Sequence, residues 1–405
     1  MKIKFAPVLG LALASASLLS LAPRAFAAPG TIVIVAEGAS PQVLELGKGY
    51  LRKASDDAEL STSFDQLRDA AKPATASADA LAQMSGVLQT AHDNGYATGL
   101  VTTGDVSKIA PLFYKLDGDV NADLTAKNAP YEFLAGGGAT QLQGAGTAMQ
   151  AAGGTFVANS DALSGDLKGR VLAVETPGEL SYAIDRDPSS ESGLDELAGA
   201  AIDTLSAGQK PFLLVIHDSL LNKALQAHDT PAMFEQFREL NTIVGDALAR
   251  RDDDANIKVA VLMTGGAVTP RFSTTSTEEQ SNALYVASNL QHSFSGAGQM
   301  LKGQSVEGIT ASTNAETGDY PGWKVSDADK AKIAAGTLDP ETALRASYEP
   351  ILKLDYAATP ADTSAFVAGF DAPNGLVPAL MAMISTPART APMAKTPTMG
   401  APMMR

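Results

Sequence analysis

The sequence predicts an α/β domain built on a mostly parallel sheet with helices covering both of its faces. Three observations carry this expectation. Short, wholly apolar runs alternate with amphipathic segments through most of the 405 residues, the pattern of strands buried on both sides. Hydrophobic residues make up 45% and charged residues 19%, proportions that let a chain of this length bury a large core unaided. Cysteine is absent, which excludes a disulfide framework, a cysteine zinc finger and an iron–sulfur site.

The predicted strands, in order, are TIVIVA at 31–36, ATGLVTT at 97–103, GTFVA at 154–158, RVLAVE at 170–175, PFLLVI at 211–216 and IKVAVLM at 257–263. Predicted helices fill 41–53, 84–94, 192–206 and 230–250. The last places Phe234, Phe237, Leu240, Ile243, Val244 and Leu248 on one face. Residues 268–345 break the rhythm. They are rich in Ser, Thr, Gly and Asp, carry Pro321-Gly322-Trp323, and are expected to form an insertion or cap on the main domain, which spans 28–385. No internal repeat is present.

The two ends differ from the rest. Lys2 and Lys4 precede an apolar run that closes on Ala25-Phe26-Ala27, so residues 1–27 read as a signal peptide cleaved near Ala27, and the protein as periplasmic or secreted. No later stretch is apolar and long enough to span a membrane. Residues 386–405, rich in Met, Pro, Ala and Thr, read as a disordered tail; Met393, Met399, Met403 and Met404 lack the spacing of a metal site. A formal charge of −15 argues against nucleic acid as a partner, because binding a polyanion needs a basic surface to release counterions.

In open α/β sheets the chemistry lies beyond the carboxyl ends of the strands. Here those ends carry Glu37-Gly38, Gly104 to Ala110, His217 to Asp229 and Thr264-Gly265-Gly266. Around them TIVIVAEG, TSFDQL at 62–67, residues 85–111, Gly136-Gly137-Gly138, the stretch 182–216 with its Asp185-Arg186-Asp187-Pro188, and ATPADTSAFVAGF at 358–370 follow one another in an order that resembles the alkaline phosphatase family. The resemblance implies an α/β fold of the alkaline-phosphatase-like three-layer sandwich type. It also implies phosphomonoester hydrolysis by a serine nucleophile, with two zinc ions, a magnesium site and a phosphate-binding arginine.

Carried over position by position, the resemblance puts Glu37 where the family has a metal-bridging aspartate. The nucleophile position falls on Ala74, or on Thr75 after a one-residue shift, with Ser77 one helical turn along. Lys108 and Ala110 stand at the two magnesium-serving positions, and Val120 near the arginine. A Glu, Asp and His ligand set becomes His217, Asn222 and Gln226. An Asp-His pair becomes Met263 and Thr264, and the last histidine becomes Ala358, followed by Thr359. A two-metal clamp fails when its ligand count falls, so the expected cofactor set is empty, with Glu37 and His217 the only residues suited to remain as ligands.

Two functions follow. One is an exported, catalytically inactive relative kept for binding an unidentified ligand or protein partner, or for a structural role. The alternative is an active, metal-dependent phosphomonoesterase with an altered site of Glu37, Thr75, Lys108, His217 and Asn222, needing zinc and magnesium. The resemblance also implies a homodimer. Of the other histidines, His92 reads as a helix C-terminal residue, His228 as a surface residue that might join Glu37 and His217 around one metal only if they converge, and His292 as lacking a partner.

Overall fold

The computed structural model describes residues 29–116, 118–165, 167–313, 324–358 and 363–388. The signal-peptide segment, Pro321-Gly322-Trp323, Thr359 and the four tail methionines lie outside the described residues. In chain order the strands are β1 (Gly30–Glu37), β2 (Lys72–Ala74), β3 (Ala97–Asp105), β4 (Phe133–Gly137), β5 (Thr155–Val157), β6 (Val171–Val174), β7 (Phe212–Asp218), β8 (Ile257–Thr264), β9 (Val268–Phe272), β10 (Leu354–Ala358) and β11 (Thr363–Ala368). Nine of them form one sheet in the order β2-β11-β8-β1-β7-β3-β4-β6-β5, while β9 and β10 pair apart from it. Only β11 runs against its neighbours β8 and β2; the other pairings of the large sheet are parallel.

The apolar run of β1 explains the three layers. Successive side chains of a strand point to opposite faces. Ile32, Ile34 and Ala36 therefore enter one core, beneath the helices Leu194–Ser206 and Thr230–Asp253. Val33 and Val35 enter the other, beneath the helices Val87–Asp93, Val106–Tyr114 and Leu376–Ile384. Thr230–Asp253 starts where Asp229 accepts from the Ala232 N–H and Pro231 occupies the first turn. Its Phe234 stacks on Tyr50 at 4.6 Å and its Phe237 on Phe64 at 5.4 Å.

Four sequence expectations change. The helix expected over 84–94 starts only at Val87 and runs to Asp93, because Gly86 takes φ 68° before it, where Lys115 lies so close that a Cβ would collide with it; a separate short helix, Ala80–Gln83, precedes it. The interruption at 268–345 holds five described helices, Thr277–Ala287, Phe294–Leu301, Val306–Thr313, Asp327–Ala334 and Pro340–Leu352. Its low apolar periodicity reflects helices that bury few residues each. It also extends to Ala358, since β10 pairs antiparallel with β9. Finally, the tail is not free from its first residue: Thr386 O accepts from the Tyr96 hydroxyl, and Ala388 N donates to Asn94 O.

Two carboxylates, Asp229 buried and Asp185 half-buried, hold the first turn of Phe294–Leu301 against the main domain. Asp229 accepts from the Phe294 and Ser295 N–H groups, and Asp185 from the Ser293 N–H at 2.9 Å and the Ser293 hydroxyl. His292 Nδ1 stands 3.7 Å from Asp185, so this histidine does have a partner. Arg186 turns inward to Glu239 and Glu191.

Candidate functional site at the strand ends

The carboxyl ends of β1, β7 and β3 lie side by side, with Val35 opposite His217 and His217 opposite Thr102. Residues in register share a face, so His217 and Thr102 point to the same side, and Glu37, two residues beyond Val35, joins them. His217 Nε2 lies 2.7 Å from Glu37 Oε1, and Nδ1 lies 2.9 Å from Thr102 Oγ1. Thr102 Oγ1 also accepts from the Gly104 N–H at 3.0 Å. Glu37 as a carboxylate only accepts, so the Nε2 that faces it carries a proton, while Nδ1 and the Thr102 hydroxyl share the second hydrogen bond. The imidazole is 1% exposed, and Phe113 packs edge-on to it at 6.1 Å. Glu37, 24% exposed, is the end of the chain that meets solvent.

The remaining predicted residues do not gather around this pair. Ala74 ends β2, and β11 and β8 lie between that strand and β1. Thr75 is exposed, and the next helix begins only at Ala80, so neither it nor Ser77 sits in a helical turn; Ser77 instead accepts from Gln83. Lys108 is exposed and ion-paired with Asp105 at 3.2 Å. Ala110 is fully buried in the core. Val120 opens the helix Val120–Thr125 behind its Asp119 cap. Asn222 Oδ1 is buried without a hydrogen-bond partner, against the backbone of Gly266. Gln226 is exposed. Met263 is buried, and Thr264 faces Glu37 across β8 and β1. Ala358 lies on β10 in the two-stranded ribbon, outside the large sheet. His228 takes φ 53° and stacks on Tyr356 at 4.5 Å, so it does not converge with Glu37.

Sequence reasoning passed over Asp218 and the role of Thr102. Asp218 points to the other face of β7, where Thr103 Oγ1 lies 3.4 Å from Oδ1, and its Oδ2 has no hydrogen-bond partner. Burial above all, and then the charge of Glu239, push its pKa up to about 8. The only available signal was the alternation of Thr102 and Thr103 with apolar neighbours along β3. A buried strand's hydroxyls must find partners, but the sequence does not say which.

These residues do not fit the zinc and magnesium sites that the resemblance implies. A metal-binding histidine presents a free ring nitrogen lone pair, whereas both ring nitrogens of His217 are engaged, Nε2 with Glu37 and Nδ1 with Thr102. Among the described residues no group of three or more His, Cys, Asp or Glu side chains is placed to hold a metal ion.

The architecture is that of an alkaline-phosphatase-like protein. The crystal structure of the cold-active alkaline phosphatase of the psychrophile Shewanella sp. superposes with a TM-score of 0.68 over 88% of this chain and 99% of that one, at 15% identity. That of Thermus thermophilus alkaline phosphatase superposes with a TM-score of 0.68 over 90% of this chain and 92% of that one, also at 15% identity. In sequence the chain is similar to alkaline phosphatase 4 of Bacillus subtilis (strain 168), 26% identical over 172 residues. That match covers 39% of this chain and 37% of the relative's length. No family model matches the chain.

Proposed function

We propose that this chain is an exported alkaline-phosphatase-like protein without phosphatase activity, retained for a binding or structural role. One observation carries the reading: the acidic and imidazole groups at the fold's catalytic edge are spent on each other, with Glu37 and Thr102 closing both nitrogens of His217. The nucleophile position supports it, since Ala74 has no reactive group and Thr75 stands on the far side of two strands. So does Val120, which offers no charge to a phosphate. Losing a nucleophile, a phosphate-holding cation and a metal clamp together removes the sources of nearly all rate enhancement in such a reaction.

No helix among the described residues is long and apolar enough to cross a membrane. The segment 1–27 is the basis for proposing export to the periplasm or medium, checked by cell fractionation and by sequencing the amino terminus of the exported chain, which should begin at Ala28. Homodimer formation is proposed by likeness alone and is read by sedimentation. The deciding experiment is metal analysis of the purified protein together with hydrolysis of p-nitrophenyl phosphate at alkaline pH. The reading expects no bound zinc and no turnover above buffer. Near-stoichiometric zinc with turnover that a chelator and Glu37→Ala both abolish would establish the altered-site phosphatase instead.

A further inference from the structure

We infer that the Glu37–His217–Thr102 chain replaces metal as the clamp that ties the catalytic edge of the sheet together, so that this fold assembles and persists without metal. The inference rests on the proposed loss of phosphatase function and adds what took the metal's structural place. The parallel strands β1, β7 and β3 end side by side, and a carboxylate left alone at such an edge would repel any acid on its neighbour. In a metal site the cation cancels that repulsion. Here the central strand contributes a hydrogen-bonding ring: His217 Nε2 reaches Glu37 on β1 at 2.7 Å, and Nδ1 reaches Thr102 on β3 at 2.9 Å. The Gly104 N–H, at 3.0 Å from Thr102 Oγ1, ends the chain on backbone, so every link is satisfied. The ring is 1% exposed and packed by Phe113, which makes its orientation a fixed part of the core.

The exchange also explains why His217 stands where the resemblance expects a glutamate. Two carboxylates at the 2.7 Å separation now held by Glu37 and His217 cannot both be charged unless a cation lies between them. Glutamate at this place therefore demands a metal, and histidine removes the demand.

The test is thermal unfolding of the exported chain and its variants, each in EDTA and with added zinc or magnesium. The unaltered protein is expected to melt at the same temperature in all three. Thr102→Val, nearly isosteric, should lower the midpoint by about 3 °C, the effect of losing two buried hydrogen bonds, to His217 and from the Gly104 N–H, in a chain of this size. His217→Leu should lower it further, and adding Thr102→Val to it should cost less than it does alone, because the link to His217 is already cut. His217→Glu should melt below the unaltered protein in EDTA and regain at least about 4 °C with divalent metal, a gain the unaltered protein does not show. A chelator-induced drop in the unaltered protein, additive losses from Thr102→Val and His217→Leu, or a metal-indifferent His217→Glu would each overturn the clamp. If His217→Glu does not fold, the Thr102→Val and His217→Leu pair still decides. Zinc with turnover in the unaltered protein sinks the proposed function; a metal-free, inactive protein whose variants melt with it sinks only the clamp.

Discussion

Replacing Arg186 by methionine tests what holds the 181–191 segment to the helix Thr230–Asp253. Arg186 is 8% exposed and sits between Glu239, to which its Nη1 donates, and Glu191, whose Oε1 is 3.6 Å from Nε; its Nη2 also donates to Ser181 O at 3.1 Å. Glu239 is equally buried, and besides Arg186 it accepts from the Leu194 N–H at 2.8 Å and from Gln236 Nε2 at 2.6 Å. Removing one partner of such a pair costs about 3–5 kcal/mol, because the other charge stays buried without its counter-ion. Glu239 keeps two donors, which places Arg186→Met at the lower end, about 3 kcal/mol. For a chain this long that is a midpoint lowered by roughly 4 °C. Circular dichroism melts and urea titration measure it. Adding Glu239→Gln removes the stranded charge, so the double variant should recover part of the loss. A single variant within about 2 °C of the unaltered protein, or a double variant worse than the sum of the singles, refutes the argument.

The other expectations are smaller in scope. Asp218 has an ordinary pKa of 3.8, raised to about 8 in the fold. Between those values the folded chain keeps a proton that the unfolded chain has released, so stability falls as pH rises, by at most about 1.4 kcal/mol per unit. Asp229, raised by burial to about 6 against the pull of the Phe294 N–H, adds the same sign below pH 6 only. Asp218→Asn should therefore flatten the stability profile between pH 6 and 8 and exceed the unaltered protein above pH 8; an unchanged slope in that window would show that another group titrates there. Gly47→Ala should destabilise by about 1–2 kcal/mol despite alanine's better helix propensity, since its Cβ would lie 2.3 Å from the Phe237 ring. A stabilised Gly47→Ala protein in urea unfolding would mean that the contact between Pro41–Ala54 and Thr230–Asp253 yields easily.

Much of the fold was legible because its strands are buried on both faces. The runs at 31–36, 97–103, 211–216 and 257–263 are mostly apolar, and the structure keeps each of them, extended by one or two residues at the polar end. Those extra residues, Glu37, Asp105, His217, Asp218 and Thr264, are where the chemistry sits. Their polarity made them read as loop, although they complete the ladders. The strand β11 was expected only through the resemblance of ATPADTSAFVAGF, and its antiparallel run against β8 is a property of pairing rather than of local pattern.

Composition and order along the chain were enough to determine the class: an acidic, cysteine-free α/β protein whose strand ends resemble those of alkaline phosphatases. Local pattern carries that information because each apolar run is a property of a few neighbouring residues. Which polar groups meet was decided only in three dimensions. Glu37, Thr102 and His217 are separated by 65 to 180 positions in the chain, and nothing in their surroundings says that they meet. The register of β1, β7 and β3 brings the first three within hydrogen-bonding distance, and a left-handed turn sends His228 to Tyr356 instead.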